Sequence, residues 1–255
     1  MNPLRRHEMI MEMLLAANEV TVAELSERLE VTGKTIREDL AKLEEKGLLQ
    51  RMHGGAVLAQ ADQLGILSVK NPVARHAAEK AEVAKLAISL IEPGDIVALD
   101  GGTTTQEMAR QLPNQPLTVV TNDIIIISEL VRKDAIRLVV PGGYRVRNML
   151  VGSEAVAYIR KLNIRKAFLA ATGVQPDSGF TIYTGEFSEM KRALIETAQL
   201  SYVTADHHKF GQGALFTFAQ LTEVEAIVTD GGLPPEVADQ YTQAGVRLLK
   251  NDTKE

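Results

Sequence analysis

The sequence predicts an α/β protein in two parts, a small helical module with a hairpin and a larger domain with a mostly parallel sheet. In the first 60 residues, three amphipathic segments precede a Gly-Gly pair. From residue 79 onward, short aliphatic runs alternate with helical segments, the pattern of a parallel sheet covered on both faces. The composition, 45% hydrophobic and 24% charged, is typical of a folded globular protein.

The composition also excludes several function classes. The sequence contains no cysteine, which removes disulfide scaffolds, thiol nucleophiles and cysteine-ligated zinc. The N-terminus lacks the apolar core of a signal peptide, and the aliphatic run 124–127 is too short to cross a membrane. We therefore expect a cytoplasmic protein without a membrane partner. The net charge of -5 argues against nonspecific coating of nucleic acid.

Helical periodicity defines the first two elements. Apolar residues recur at steps of three and four over residues 4–17, which predicts a helix with one buried face. Thr21 and Glu24 have the spacing of a capping box, in which hydroxyl and carboxylate satisfy each other's backbone amides. They predict a short second helix over about residues 22–29.

A third helix and a hairpin complete the module. Thr32 is the predicted cap of a helix that ends at Gly47, and the pair Gly54-Gly55 predicts a turn within 48–58. The sequence thus predicts a winged helix-turn-helix over residues 1–58, a linker over 59–75 and an α/β domain over 76–255.

The outer face of the third helix and the wing carry the candidate DNA contacts. Helix cations can donate to guanine edges or phosphates, a threonine can meet a phosphate or a thymine methyl, and the wing can rest on the backbone. The candidate residues are Lys34, Thr35, Arg37, Lys42, Arg51 and His53. The alternative is a three-helix packing unit whose cations only solvate its outer face. Residues 1–60 hold eight basic and ten acidic side chains, so charge alone does not decide.

The larger domain is predicted from alternating elements. Six aliphatic runs predict strands at 96–99, 117–120, 136–140, 166–170, 200–204 and 226–229. Helical segments are predicted at 80–91, 104–111, 123–132, 153–161, 186–198 and 235–244.

One loop has the composition of a phosphate site. It follows a predicted strand, opens a helix and reads Asp100, Gly101, Gly102, Thr103, Thr104, Thr105. Glycines let the backbone approach an anion, and the helix terminus stabilises its charge. Spacing alone somewhat favours the alternative, an ordinary strand-to-helix turn in which Thr103 or Thr104 caps the helix. Further loops at strand ends, 121–123, 141–145, 172–174 and 205–211, can share one crevice with it, although each alone can simply turn the chain.

The first 58 residues resemble the DNA-binding domain of the DeoR family of bacterial repressors. The resemblance lies in Arg6, in the run Thr32-Gly33-Lys34-Thr35-Ile36-Arg37-Glu38-Asp39-Leu40, and in Arg51-Met52-His53-Gly54-Gly55-Ala56. One departure is Glu38, because the family commonly has a basic or neutral residue there. An acid near phosphates weakens nonspecific affinity or accepts a hydrogen bond from cytosine.

The remaining loops resemble the sensor domain of the same family, which is similar in fold to ribose-5-phosphate isomerases and glucosamine-6-phosphate deaminases. The resemblance implies that the threonine-rich loop holds the phosphate of a sugar phosphate. The remaining effector contacts that it implies are Asp100, Thr121, Asn122, Glu186, Asp206 and Lys209, of which Asp100, Asn122, Asp206 and Lys209 meet the hydroxyls or charge of the sugar. Gln175 departs from the acid that the family often carries there, and an amide cannot abstract a proton. Asp177 or Glu186 remain as possible bases, so catalysis is disfavoured rather than excluded.

No metal, cofactor or catalytic residue is assigned. The five histidines have no tight ligand spacing, and His207 and His208 are expected to project apart on extended chain. We expect a DNA-binding regulator, a repressor of a carbohydrate-utilisation operon, that acts as a homodimer or homotetramer on double-stranded operator DNA and responds to a phosphorylated sugar. The alternatives are a sugar-phosphate isomerase or deaminase with an appended helical module, and an oligomerisation scaffold.

Overall fold

A computed structural model describes residues 2–17, 19–45, 48–58 and 76–251. The predicted linker 59–75 lies outside the described residues, as does the predicted helix end at Gly47. Within the described residues, no helix is both long and apolar enough to cross a bilayer.

The N-terminal module is a three-helix head with a small sheet. Its elements are α1 (Pro3–Ala17), β1 (Glu19–Thr21), α2 (Val22–Leu29), α3 (Gly33–Glu45), β2 (Leu49–Met52) and β3 (Gly55–Leu58). The predicted capping box is present at the start of α2. Strand β3 pairs antiparallel with both β1 and β2, so the wing is a three-stranded sheet rather than the predicted hairpin alone.

Apolar side chains from all three helices and the wing form one core. Ile10, Leu25, Ile36 and Leu43 are at most 1% exposed. This burial follows the spacing that predicted the helices, since each helix turns its apolar face inward.

The larger domain alternates helices and strands around a seven-stranded parallel sheet. The helices are α4 (Ala77–Ile88), α5 (Thr103–Gln111), α6 (Ile124–Leu130), α7 (Ser153–Ile159), α8 (Gly185–Thr197) and α9 (Pro235–Gln243). The sheet strands are β4 (Ile96–Leu99), β5 (Leu117–Val120), β6 (Ile136–Val139), β9 (Ile164–Ala170), β12 (Ala198–Thr204), β14 (Ala226–Val228) and β15 (Leu248–Leu249). The predicted α/β fold class, a winged head followed by a parallel-sheet domain, is confirmed.

Two small antiparallel sheets, which the sequence analysis did not predict, accompany the main sheet. One is the hairpin β7 (Tyr144–Val146) and β8 (Met149–Val151). The other joins β10 (Gly173–Gln175), β11 (Gly179–Ile182) and β13 (Phe216–Ala219). These strands have three or four residues, too few to show an alternating pattern.

The strand order locates the switch point of the sheet. From edge to edge it reads β15-β14-β12-β9-β4-β5-β6, and neighbouring pairs run parallel. The chain leaves β4 towards β5 and β6, then returns to the other side of β4 as β9. Adjacent loops therefore diverge beyond the carboxyl ends of β4 and β9, where open α/β sheets form ligand crevices.

Candidate functional site

The predicted DNA-contacting face lies on the outer side of α3. Lys34, Arg37 and Lys42 are not buried, whereas Ile36 and Leu40 on the opposite face are buried. Thr35 is half-buried at the first turn, where its N–H donates to the Thr32 hydroxyl over 3.3 Å. The helix thus presents its cations away from the core of the head.

The wing lies beside this helix. Arg51 donates from its backbone N–H and its Nε to Glu44 of α3, over 2.8 and 2.5 Å. Arg37, Arg51 and His53 line one groove of about 440 Å³ between α3 and the wing. Three of the six predicted DNA-contacting residues therefore line a common concave surface.

A buried polar network, missed by sequence reasoning, fixes α3 to α1. The Asp39 carboxylate accepts hydrogen bonds from Arg6 and lies 2.9 Å from Nε2 of His7, and all three residues are less than 9% exposed. Burial opposes ionisation of Asp39, but the hydrogen bonds from Arg6 and His7 hold its pKa below the ordinary value. The apolar spacing of α3 offered a signal, because it places Asp39, next to Leu40, on the side of the helix that faces the core.

Asp100 lies at the switch point and is ion-paired. Its carboxylate accepts a hydrogen bond from Nζ of Lys191 on α8 and another from the N–H of Ala170 at the end of β9. Lys191 also donates to the carbonyl of Ala170 over 2.7 Å. Lys191 was missed by sequence reasoning, although a lysine between the apolar positions Met190 and Ala193 was a usable signal.

The other oxygen of this carboxylate is buried without a hydrogen-bond partner among the described residues. This atom is Oδ1, and Asp100 as a whole is 1% exposed. Such an atom carries a desolvation cost unless a ligand or water pairs with it. It therefore indicates a place where a hydroxyl donor can bind.

The threonine-rich loop is closely packed. A Cβ on Gly101 would lie 2.0 Å from Sδ of Met149, and one on Gly102 would lie 2.3 Å from Cβ of Ala170. Thr103, Thr104 and Thr105 are all buried at the start of α5. The glycines thus allow close packing at the bend, and the first-turn amides of α5, which lack intrahelical acceptors, lie next to Asp100.

The next loop brings Thr121 and Asn122 to the same sheet edge. Both are buried, and Nδ2 of Asn122 donates to the carbonyl of Leu150 over 2.8 Å, which holds β8 in place. Asp123 caps α6 and accepts hydrogen bonds from Gln106 and Asn148 through its other oxygen. Burial raises the pKa of Asp123 to about 6.

Asp206 and Lys209 lie at the end of β12, two strands from Asp100. Both are buried, and Oδ2 of Asp206 lies 4.0 Å from Nζ of Lys80. Within the part of the chain that the structure describes, the same oxygen accepts no hydrogen bond. The predicted crevice residues of β4, β5 and β12 therefore share one edge of the sheet.

Glu186 lies elsewhere, at the contact between the two parts. It is exposed at the first turn of α8 and lines a small cleft with Glu8 and Glu12 of α1. Tyr183, just before α8, is buried among the apolar residues of the head. On α8 the partner of Asp100 is Lys191, further along the helix, whereas Glu186 also lines a cleft with Val151 and Gly152 at the end of β8.

The prediction for the adjacent histidines was wrong. Residues 207–209 form one turn of 3₁₀ helix rather than extended chain, and the rings of His207 and His208 lie 3.8 Å apart. His208 also lies beside His76 and Glu79, which are remote in sequence.

Comparisons with known families match both parts of the chain. Residues 6–62 match the DeoR-like helix-turn-helix domain, and residues 75–231 match the DeoR C terminal sensor domain. The chain is 33% identical to the HTH-type transcriptional regulator IolR of Bacillus subtilis, over 94% of each protein. It is 32% identical to the HTH-type transcriptional repressor GlcR of the same organism, over 96% of this chain and 95% of GlcR.

Solved structures give weaker likenesses. The ribose 5-phosphate isomerase A of Methanocaldococcus jannaschii has a TM-score of 0.38 at 18% identity, and covers 51% of this chain and 53% of its own. The translation initiation factor eIF-2B of Pyrococcus horikoshii OT3 has a TM-score of 0.44 at 14% identity, over 89% of each chain.

Proposed function

The chain belongs to the DeoR family of transcriptional regulators, and from that premise we propose that it represses a carbohydrate-utilisation operon under the control of a phosphorylated sugar. Members of this family are regulators rather than enzymes, so the isomerase or deaminase alternative is dropped. Because operator DNA lies in the cytoplasm, the proposal places the protein there.

The observation that carries the DNA-binding proposal is the outer face of α3 with the wing beside it. In a major groove, Lys34 and Arg37 donate to base edges or phosphates, and Thr35 contacts a phosphate or a thymine methyl. Arg51 and His53 rest on the backbone. The buried Arg6–Asp39 pair holds α3 in position on α1, so the reading face is preorganised.

Lys42 and Glu38 adjust this face in opposite directions. Lys42 lies in the last turn of α3 and adds a phosphate contact there. Glu38 is exposed next to Arg37, and its charge repels phosphates unless a cytosine amino group donates a hydrogen bond to it. Glu38 therefore favours specific over nonspecific binding, whereas Lys42 adds affinity that does not depend on sequence.

The effector site that we propose is the crevice beyond β4 and β9. The first-turn amides of Thr103, Thr104 and Thr105 with the glycines before them bind the phosphate, and the buried Oδ1 of Asp100 accepts a hydrogen bond from a sugar hydroxyl. Lys191 pairs with the Asp100 carboxylate and orients it. The crevice is bordered by Thr121, Asn122, Asp206 and Lys209.

Helix α8 connects this crevice to the head. Lys191, within α8, pairs with Asp100, whereas Glu186, at the start of the same helix, lines a cleft with α1. The charges of Glu12 and Glu186 both act on Arg147, which is largely desolvated. A ligand that binds beside the Asp100–Lys191 pair can therefore shift α8 against the head, provided that the ligand binds the two arrangements with different affinities.

Symmetric operators require paired readers, so we propose a homodimer or homotetramer. Within each chain we assign residues 1–58 to DNA binding, 59–75 to a linker and 76–255 to sensing.

The test is fluorescence anisotropy of the full chain on its own upstream DNA and on scrambled DNA. We expect salt-sensitive, sequence-specific binding, and Arg37→Ala should weaken it by about 1–3 kcal/mol, the value of one bidentate pairing with a base. Arg132→Ala removes an exposed cation from the sensor domain and serves as the matched control. Equal affinity for both DNAs would contradict the proposal.

A further inference from the structure

Three side chains from two distant parts of the sequence meet at the start of α4. Nδ1 of His76 lies 3.9 Å from Oε1 of Glu79, and the same oxygen lies 3.8 Å from Nε2 of His208. The three donor atoms lie within 4.8 Å of one another, and all three residues are half-buried. The cluster is separate from both the DNA-contacting face of α3 and the Asp100–Lys191 pair.

The ring of His208 is held between two neighbours. Its centroid lies 3.7 Å from that of His76 and 3.8 Å from that of His207. His207 is fixed in turn by Asp230. Its ring Nδ1 lies 2.6 Å from Oδ2 of Asp230, and its backbone N–H donates to Oδ1 over 2.7 Å. The orientation of His208 towards Glu79 is therefore built into the loop.

We propose that His76, Glu79 and His208 bind one divalent transition-metal ion, for which zinc is the best match. Two imidazole nitrogens and one carboxylate oxygen are a zinc donor set, whereas calcium and magnesium prefer oxygen ligands alone. Donors bound about 2.1 Å from a tetrahedral ion lie about 3.4 Å apart, so small side-chain rotations close the observed distances. Three protein ligands leave a fourth position for water or another ligand.

The charges around the cluster suit a cation. Glu79 and Asp206 supply negative charge near His76, against the positive charge of Lys80.

Metal binding would join two segments that matter for regulation. His76 is the first described residue after the 59–75 segment, and it adopts a left-handed conformation with φ of 56°. His208 lies in the loop that also carries Asp206 and Lys209. A bound ion therefore fixes the start of α4 to the border of the crevice; its regulatory meaning rests on the proposed function, whereas metal binding itself does not.

The experiment uses the full chain, stripped of metal with a chelator and titrated with zinc chloride by calorimetry. We expect one ion per chain. His76→Gln and His208→Gln should each weaken binding by at least about 100-fold, more than the loss of an outer-shell partner costs. Glu79→Gln should also weaken it. Glu236→Gln makes the same change in the first turn of α9, outside the cluster, and should bind as the wild type does.

Cobalt provides a second readout that needs no variant. Its visible absorption should show the intense bands of four-coordinate Co²⁺, and zinc should displace them. Circular dichroism of each metal-free variant verifies folding. If a histidine variant fails to fold, Glu79→Gln still tests the site, because it keeps the side-chain shape. Weak six-coordinate bands, no zinc binding, or binding that all three ligand variants retain would each overturn the proposal.

Discussion

The guanidinium of Arg6 donates two hydrogen bonds to the carboxylate of Asp39, from Nε over 2.5 Å and from an Nη over 3.1 Å. Arg6 lies on α1 and Asp39 on α3, so this buried pair sets how the proposed DNA-contacting face of α3 sits on the head. Removing one partner of a buried ion pair leaves the other charge uncompensated.

We therefore expect Asp39→Asn to destabilise the head by about 3–5 kcal/mol. Hydrogen exchange followed by mass spectrometry measures this loss of stability, because faster exchange of backbone amides should be confined to residues 2–58. Arg5→Ala removes a neighbouring arginine whose side chain is 61% exposed and should change exchange little. Unchanged protection of α3 in Asp39→Asn would show that the pair does not position the helix.

Alanine substitutions at two adjacent glycines, Gly101 and Gly102, should reduce stability by different amounts. Gly101→Ala places a Cβ against the flexible end of Met149, whereas Gly102→Ala places one against Ala170 at the end of β9. We expect overpacking to cost about 1–3 kcal/mol at Gly101 and more at Gly102, since β9 cannot move aside. Urea unfolding followed by circular dichroism compares the two. The reverse order would refute the packing described for this loop.

Lys191→Met should destabilise the sensor domain by about 3–5 kcal/mol, because the buried Asp100 loses its counter-charge. The double variant Asp100→Asn with Lys191→Met removes both charges and should be more stable than Lys191→Met alone. Urea unfolding of the wild type, of both single variants and of the double variant forms the test. A double variant that is less stable, with strictly additive losses, would mean that the two residues do not interact.

The carboxyl group of Asp123 predicts a pH dependence of stability. Burial raises its pKa from 3.8 to about 6, against hydrogen bonds that lower it. The folded protein therefore binds more protons than the unfolded chain between these values, so this contribution to stability falls as the pH rises through about 6. Asp123→Asn keeps a helix-capping side chain without the charge.

Relative to the wild type, Asp123→Asn should gain about 2.4 kcal/mol of unfolding free energy between pH 4 and pH 7. Urea unfolding at intervals across this range measures the difference. A difference that stays constant with pH would show that Asp123 titrates alike in the folded and unfolded chain.

The sequence predicted the long elements well and the short strands and long-range partners poorly. The second helix was predicted over the observed range Val22–Leu29, because its apolar spacing and capping box are local signals. Strand β1 was missed because three residues carry no pattern and pair with β3, far along the chain. The alternation of strands and helices predicted that the candidate loops lie at one sheet edge, because the carboxyl ends of parallel strands meet there.

Individual partners could not be predicted in the same way. The ion pair of Lys191 with Asp100 and the meeting of His76 with His208 depend on how distant segments pack. Glu186 was grouped with the crevice on resemblance, while the structure puts it at the contact with the head. Local spacing does not determine such long-range neighbours.

The coupling between operator and effector tests the central claim most directly. The measurement is the anisotropy-derived operator affinity of the full chain, with and without each of a panel of sugar phosphates. We predict that at least one sugar phosphate changes the wild-type affinity by about 5–150-fold and leaves the affinity of the Asp100→Asn, Lys191→Met variant unchanged. If no sugar phosphate altered operator affinity, or if the double variant responded as the wild type does, the account would be contradicted.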